Sequence, residues 1–433
     1  MRSNLGVTLV TLQSGRSIPT FPTFCTDSEP GSRCKLSPVN TLSLSTRAGM
    51  LKPSPTLSIA ARANAMKAEG IDIISLSAGE PDFETPEPVR EAAIEALNAG
   101  FTKYTPTSGI ADLKEAICRK LHIENSVTAK PENIIVSCGA KQSLYNAMMV
   151  LIEPGDEVIL IAPYWMTYAE QVRLAGGIPV IVHTEAASGF IPTLDQFREK
   201  ITSRTKAIVV NSPCNPTGAV FNRETMKMIA QVALRHDLWV ISDEIYDRLV
   251  YGENATSIAS LGSEIAERTV TIGGCSKTYA MTGWRIGFAA APKPVAAAMG
   301  NLQDQVTSNP NSFAQKGAVT ALRMASDQLE PMRAEFQARR DLIVELLRGI
   351  PKVQVAKPEG AFYALPDISA YLNKKISDDI CLVEHLLDNA QVATVPGTVF
   401  EAPGHIRISY AASRENIRKG IERIAKALQE LDA

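Results

Sequence analysis

Residues 273–287 read GGCSKTYAMTGWRIG, and they close one apolar run, TVTIGG (269–274), and open another, RIGFAAA (285–291). Lys277 stands between the two runs amid Gly, Cys, Ser and Thr. A solvated surface lysine does not belong there, and desolvation in such a place lowers an amine pKa toward the nucleophilic range. Working outward, five more short apolar runs are bounded by turn residues: NIIVSC (133–138), EVILIA (157–162), IPVIVH (178–183), KAIVVN (206–211) and LWVISD (238–243). From about residue 85 they alternate with helical patterns. This predicts an α/β fold whose seven strands form a mainly parallel sheet.

The polar residues that stand out lie at or just past the ends of these runs, and open α/β sheets bind ligands beyond the carboxyl ends of their strands. CGAKQSLYNAMM (138–149) follows a strand and opens a helix, so the amides of Gly139, Ala140 and Lys141 suit a phosphate, although many such turns bind nothing. Trp165 offers a flat face to a ring or simply packs. In NSPCNPTG (211–218), two prolines and a glycine hold Asn215 at the sheet rim. Asp243 either meets a cation or caps a helix, because a carboxylate at the end of an apolar strand is costly to bury alone. Tyr246 can donate its hydroxyl or pack. Ser276 adjoins Lys277, and Arg285 offers a fixed fork for phosphate. The order Asn215, Asp243, Tyr246, Lys277, Arg285 supplies a lysine amine for a Schiff base, a carboxylate for a pyridine nitrogen, donors for a phenolic oxygen and a phosphate clamp. Those are the requirements of pyridoxal 5′-phosphate.

A chain of 433 residues is expected to divide in two. Residues 85–315 would form a large cofactor-binding domain, and 42–84 with 316–433 a smaller α+β domain. Residues 1–41 read as a disordered leader, rich in Ser and Thr, either a transit peptide or the product of a start assigned too early. A cytoplasmic protein is expected, or one of the plastid stroma if the leader is a transit peptide. The net charge of −2 gives no sign of nucleic acid or a membrane surface as partner. Seven scattered cysteines and five isolated histidines suggest neither a disulfide framework nor a metal site. Cys275, close to Lys277, is read as a buried space-filling thiol.

Across LSAGEPDFETP (76–86), YTPTSGIADLKEAI (104–117), SCGAKQ (137–142), APYWMTY (162–168), NSPCNPTGAV (211–220), SDEIYDRLVY (242–251), GCSKTYAMTGWRIG (274–287), PEGAFYAL (358–365) and HIRISYA (405–411) the chain resembles the fold-type I, class I aminotransferases. Within them it is similar to the subgroup of aspartate and aspartate/prephenate aminotransferases, from about Leu42 to the C-terminus. The resemblance implies a homodimer acting on amino acids and 2-oxo acids. It gives Lys277 as the cofactor's anchor and proton shuttle, Asp243 at the pyridine nitrogen, Tyr246 and Asn215 at the phenolic oxygen, and Trp165 on the ring. Gly139, Ala140, Ser276 and Arg285 would hold the phosphate, joined by Tyr104 from a second subunit. Arg407 and the Gly79 backbone would take the substrate α-carboxylate; from the residues alone, Arg407 is an inward-facing guanidinium that a structural ion pair would also explain. Lys141, Thr56 and Lys52 would serve a second carboxylate, on aspartate, glutamate or prephenate. The rival readings are an aminotransferase of other specificity, a C–S lyase using the same cofactor, and a cofactor-binding regulator.

Overall fold

The computed structural model describes residues 44–51 and 55–432. The expected leader, 1–41, and Lys52 lie outside them. The first unit, Met1–Met50, is described at 44–50, which include the short helix Thr46–Met50. Everything below concerns the second unit, Leu51–Ala433.

Twelve strands follow in chain order. They are β1 (Ile74–Ser75), β2 (Ile134–Ser137), β3 (Glu157–Ala162), β4 (Ile178–His183), β5 (Thr205–Asn211), β6 (Trp239–Asp243), β7 (Thr269–Gly274), β8 (Gly287–Ala290), β9 (Tyr363–Ala364), β10 (Val392–Ala393), β11 (Val395–Pro396) and β12 (Ile406–Ser409). The seven apolar runs of the sequence become β2 to β8, one sheet in the order β2-β8-β7-β6-β5-β3-β4. Strands β3 to β7 pair in parallel, whereas β8 is antiparallel to both neighbours. The linker 275–286 explains that exception, because it holds only turns, and a parallel return needs a crossover of a dozen or more residues, usually helical.

The central strands are largely apolar because both faces of the sheet are covered, while the edge strand β4 is more exposed. Val158 and Leu160 of β3 pack into one cluster with Ala207 and Val209 of β5, while Ile159 and Ile161 join Ile208 and Val210 in another. This alternation is the period of two expected of a pleated strand. With both faces filled, the open positions are the carboxyl ends of β5, β6 and β7, at Asn211, Asp243 and Gly274.

A further cluster gathers the C-terminal segments. Strands β11, β12 and β9 form an antiparallel sheet, and β1 pairs in parallel with β10. The helix Arg414–Asp432 presents Ile417, Ile421, Ile424 and Leu428 to this cluster at helical spacing. Residues 77–86 run from β1 as a strap tied at both ends of its course. Thr85 donates to the Ala280 carbonyl and Glu80 accepts from Thr282, while Asp82 pairs with Arg339 of the helix Ser326–Arg348. Phe83 packs edge-on against Phe336 of that helix at 5.3 Å.

Strand β8 passes directly beneath the turn that opens the helix Ala140–Leu151. A Cβ on Gly287 would lie 2.1 Å from the Ala140 nitrogen and 2.3 Å from the Gly139 carbonyl carbon, both backbone atoms that cannot swing aside. Overpacking of this kind typically costs about 1–3 kcal/mol. Gly287→Ala should therefore lower the thermal unfolding midpoint by about 2 °C or more. A midpoint equal to that of the parent protein in differential scanning calorimetry would show that this approach is not tight.

Candidate functional site

Asp243 ends β6 and is only 3% exposed. Its Oδ2 accepts a 2.7 Å hydrogen bond from the Tyr168 hydroxyl and its Oδ1 a 3.2 Å bond from the Ile245 amide. Neither donor is a cation, and desolvation raises the carboxyl pKa to about 6, with the Tyr168 and Ile245 bonds acting against it. No helix starts here, so the capping alternative falls away. The adjoining Glu244 differs. Its oxygens accept from Ser242 at 2.9 Å, Ser257 at 2.7 Å and Asn125 at 3.1 Å, a closed set of local donors.

Asn211 closes β5 and ties Asp243 to the next loop. Its Nδ2 donates to the Asp243 carbonyl at 3.0 Å, and its Oδ1 accepts from the Asn215 amide at 2.9 Å. The buried Asn215 in turn accepts from Arg407 Nη1 at 3.0 Å, which leaves its Nδ2 as the donor end of the side chain. Arg407, on β12, is 2% exposed. Its Nη2 donates to the Ser77 carbonyl at 2.8 Å, and its guanidinium lies over the Tyr363 ring at 4.6 Å and the Phe400 ring at 5.0 Å. Nε has no hydrogen-bond partner. Desolvation lowers the Arg407 pKa, opposed by Tyr363 and Tyr246, and no carboxylate pairs with it among the described residues.

Lys277 follows β7, and its amine donates to the Gly79 carbonyl of the strap. It is partly exposed, yet the protein around it desolvates the amine and draws its pKa down to about 8. Glu80 opposes that shift, Arg285 and Arg407 add to it, and Asp243 opposes it weakly. Ser276 beside it is buried, and Cys275 is fully buried with its thiol pushed up to about 12, a packing residue.

The phosphate end is a cradle of backbone. Gly139, at φ +86°, caps the helix Ala140–Leu151, and a Cβ on it would come within 2.3 Å of the Arg285 guanidinium. Arg285 has a positive φ of 58°, and its fork donates to Thr282 and Cys138 carbonyls at 2.9 and 3.3 Å. Above the turn, the Lys141 ammonium lies over the Trp165 ring at 4.8 Å, and Trp165 meets Tyr168 edge-on at 5.5 Å. Tyr246 is buried, with its hydroxyl 2.9 Å from that of Tyr363. Tyr104 stands 92% exposed. Thr56 falls in the helix Pro55–Ala68, but its side chain is outside the described residues, as is Lys52.

The structure thus brings together Lys277, Asp243, Asn215, Tyr246, Gly139, Ala140, Ser276, Arg285, Gly79 and Arg407, with Lys141 and Trp165 beside them. Sequence reasoning missed Tyr168 and Tyr363. Tyr168 stands three residues after Trp165, across the turn that opens the helix Thr167–Leu174, and that proximity was the available signal. The donor set fits pyridoxal 5′-phosphate: a buried carboxylate lacking a cation, an amine of lowered pKa and a backbone cradle under a guanidinium. Among the described residues no group of three or more His, Cys, Asp or Glu could hold a metal ion, and no helix is long and apolar enough to cross a membrane.

Comparison with known proteins agrees with this geometry. Residues 71–424 match the family model described as aminotransferase class I and II. A probable aspartate/prephenate aminotransferase of Aquifex aeolicus is 49% identical over 391 residues, 90% of this chain and 99% of that protein. The aspartate/prephenate aminotransferase of Thermus thermophilus is 45% identical, over 89% of this chain and 98% of its own length. The solved structure of the Thermus thermophilus aspartate aminotransferase with maleate superposes with a TM-score of 0.85 at 44% identity, covering 89% of this chain and all of that one. The chain belongs to the class I and II aminotransferases, whose cofactor is pyridoxal 5′-phosphate.

Proposed function

We propose that this chain moves amino groups between aspartate or glutamate and 2-oxo acids such as 2-oxoglutarate and oxaloacetate, with prephenate as a further acceptor. The observation that carries this reading is Arg407, a buried guanidinium with an unpartnered Nε and no carboxylate of its own. A substrate α-carboxylate supplies the missing acceptor as a paired, charge-assisted contact. The Lys141 ammonium on the face of Trp165 supports a second carboxylate in the substrate. The names of the Aquifex and Thermus relatives support aspartate and prephenate in particular.

When bound, pyridoxal 5′-phosphate supplies an electron sink that lets the substrate Cα–H bond ionise. Asp243 keeps a proton on the pyridine nitrogen, and its carboxylate is stabilised by that cation where now only neutral donors reach it. Tyr168 orients Asp243 for this contact. Tyr246 and the Nδ2 end of Asn215 donate to the phenolic oxygen, and Trp165 covers the ring. Gly139, Ala140, Ser276 and Arg285 hold the phosphate. Lys277 would hold the aldehyde carbon of the cofactor, and its amine would carry a proton between substrate Cα and cofactor C4′. An amine with a pKa near 8 is partly neutral at neutral pH and can accept that proton. Gly79 contributes backbone to the α-carboxylate.

Two further parts of the reading concern assembly. The division into a large domain, 85–315, and a smaller one, 42–84 with 316–433, is supported by the hydrophobic cluster that gathers Ile74 and Leu76 with the C-terminal segments, although Ile245, Tyr246, Leu249 and Tyr251 also enter it. A homodimer is supported by Tyr104, an almost fully exposed aromatic in a motif of the family, which would serve the phosphate of a second subunit.

Purified protein should convert aspartate and 2-oxoglutarate to oxaloacetate and glutamate, and should aminate prephenate with either donor. Lys141→Ala should lower kcat/KM for these dicarboxylates by roughly tenfold to a hundredfold, the worth of a charge-assisted contact of about 1.5–3 kcal/mol, and leave alanine little changed. Equal losses for alanine and aspartate would assign Lys141 to the phosphate or the fold. In sedimentation at assay concentrations the active species should be a dimer, and Tyr104→Phe should weaken cofactor retention. A fully active monomer would contradict the shared site.

A further inference from the structure

Tyr363 is used by none of the steps above, yet it touches three of the parts they need. Its hydroxyl is 2.9 Å from that of Tyr246, with the two rings edge-on at 5.9 Å. Its ring lies under the Arg407 guanidinium at 4.6 Å, because β9 and β12 pair with Tyr363 opposite Ser409. A Cβ on Gly79, whose carbonyl accepts from Lys277, would stand 3.3 Å from the Tyr363 hydroxyl. The side chain is 1% exposed, so water does not compete for these contacts.

Proton counting then fixes the direction of the hydroxyl pair. A phenol has one proton to give. If Tyr246 gives its proton to the phenolic oxygen of the cofactor, its own oxygen can only accept within the pair, and Tyr363 must be the donor. A donor chain of this kind strengthens each bond along it, and a cation on the ring face makes Tyr363 the better donor.

We propose that Tyr363 is a positioning residue: its hydroxyl donates to Tyr246 and turns the Tyr246 proton toward the cofactor's phenolic oxygen, while its ring seats Arg407, so that one side chain holds both the phenolic-oxygen donor and the α-carboxylate clamp. The inference rests on the role of Tyr246 given under Proposed function. The charged groups facing the pair are Arg407 and Glu80 at Tyr363, and Arg407 and Asp243 at Tyr246. Burial raises the Tyr363 pKa, while Arg407 works against it.

The test is the pH titration of the absorbance of the lysine-bound cofactor in the holoenzyme. Hydrogen bonds to the phenolic oxygen favour its anion, so weakening them moves the midpoint up. Tyr363→Phe keeps the ring over which Arg407 sits and should raise the midpoint by roughly 0.3 to 1 pH unit, the scale of one neutral hydrogen bond. Tyr246→Phe should raise it further. The double variant should match Tyr246→Phe, because Tyr363 acts only through Tyr246. A midpoint moved by Tyr246→Phe but not by Tyr363→Phe overturns the relay alone, as does a Tyr363→Phe shift that persists in the Tyr246→Phe background. An unmoved midpoint in Tyr246→Phe overturns the relay together with the Tyr246 assignment.

Discussion

Desolvation beyond the carboxyl ends of β5, β6 and β7 is the constraint on which the rest of the site depends. It acts on three charged groups of different kinds. Asp243 is raised to about 6, Lys277 is lowered to about 8, and Arg407 is lowered from its usual value. None is neutralised by a direct ion pair among the described residues. Each is instead held by neutral donors or acceptors: Tyr168 and the Ile245 amide for Asp243, the Gly79 carbonyl for Lys277, and the Asn215 amide and Ser77 carbonyl for Arg407. Groups arranged in this way lack counter-charges that a cofactor and a carboxylate substrate both carry.

The sheet makes such an arrangement sustainable. Its interior strands are filled on both faces by aliphatic side chains, each worth about 1.5–3 kcal/mol when fully buried. That surplus tolerates several poorly solvated ions at one edge. The reversal of β8 is equally important. Because the linker 275–286 contains no helix, the chain turns back beside β7, and Arg285 reaches the turn at Gly139 from the end of that linker, just before β8. The glycines at 139 and 287 leave room for backbone to approach backbone there. The strap 77–86 does for Lys277 and Arg407 what β8 does for the phosphate cradle, carrying carbonyl acceptors from a distant part of the chain.

Much of this was legible in the sequence. The seven strands announced themselves as short apolar runs between turn residues, since a strand covered on both faces needs no polar alternation. Lys277, Asp243 and Asn215 stood out because polar groups at the ends of such runs are conspicuous against their neighbours. Tyr168 and Tyr363 did not stand out, since a tyrosine among apolar residues reads as packing until its hydroxyl partner is known. Those partners, Asp243 and Tyr246, lie 75 and 117 residues away. The short strands β9, β10 and β11 escaped for a related reason: two residues carry no period, and only their pairing defines them. Trp165 was read as a face for a ring or as core; it lies edge-on to Tyr168 with its ring face under Lys141.

The central claim is that burial, more than any single partner, leaves Lys277 partly neutral near physiological pH. The most direct measurement is the rate at which cofactor-free protein captures pyridoxal 5′-phosphate, followed by absorbance as a function of pH at fixed aldehyde concentration. The rate depends on the neutral amine, so the account predicts a profile that reaches half its plateau near pH 8. A profile still climbing toward pH 10, close to the ordinary lysine value of about 10.4, would contradict it.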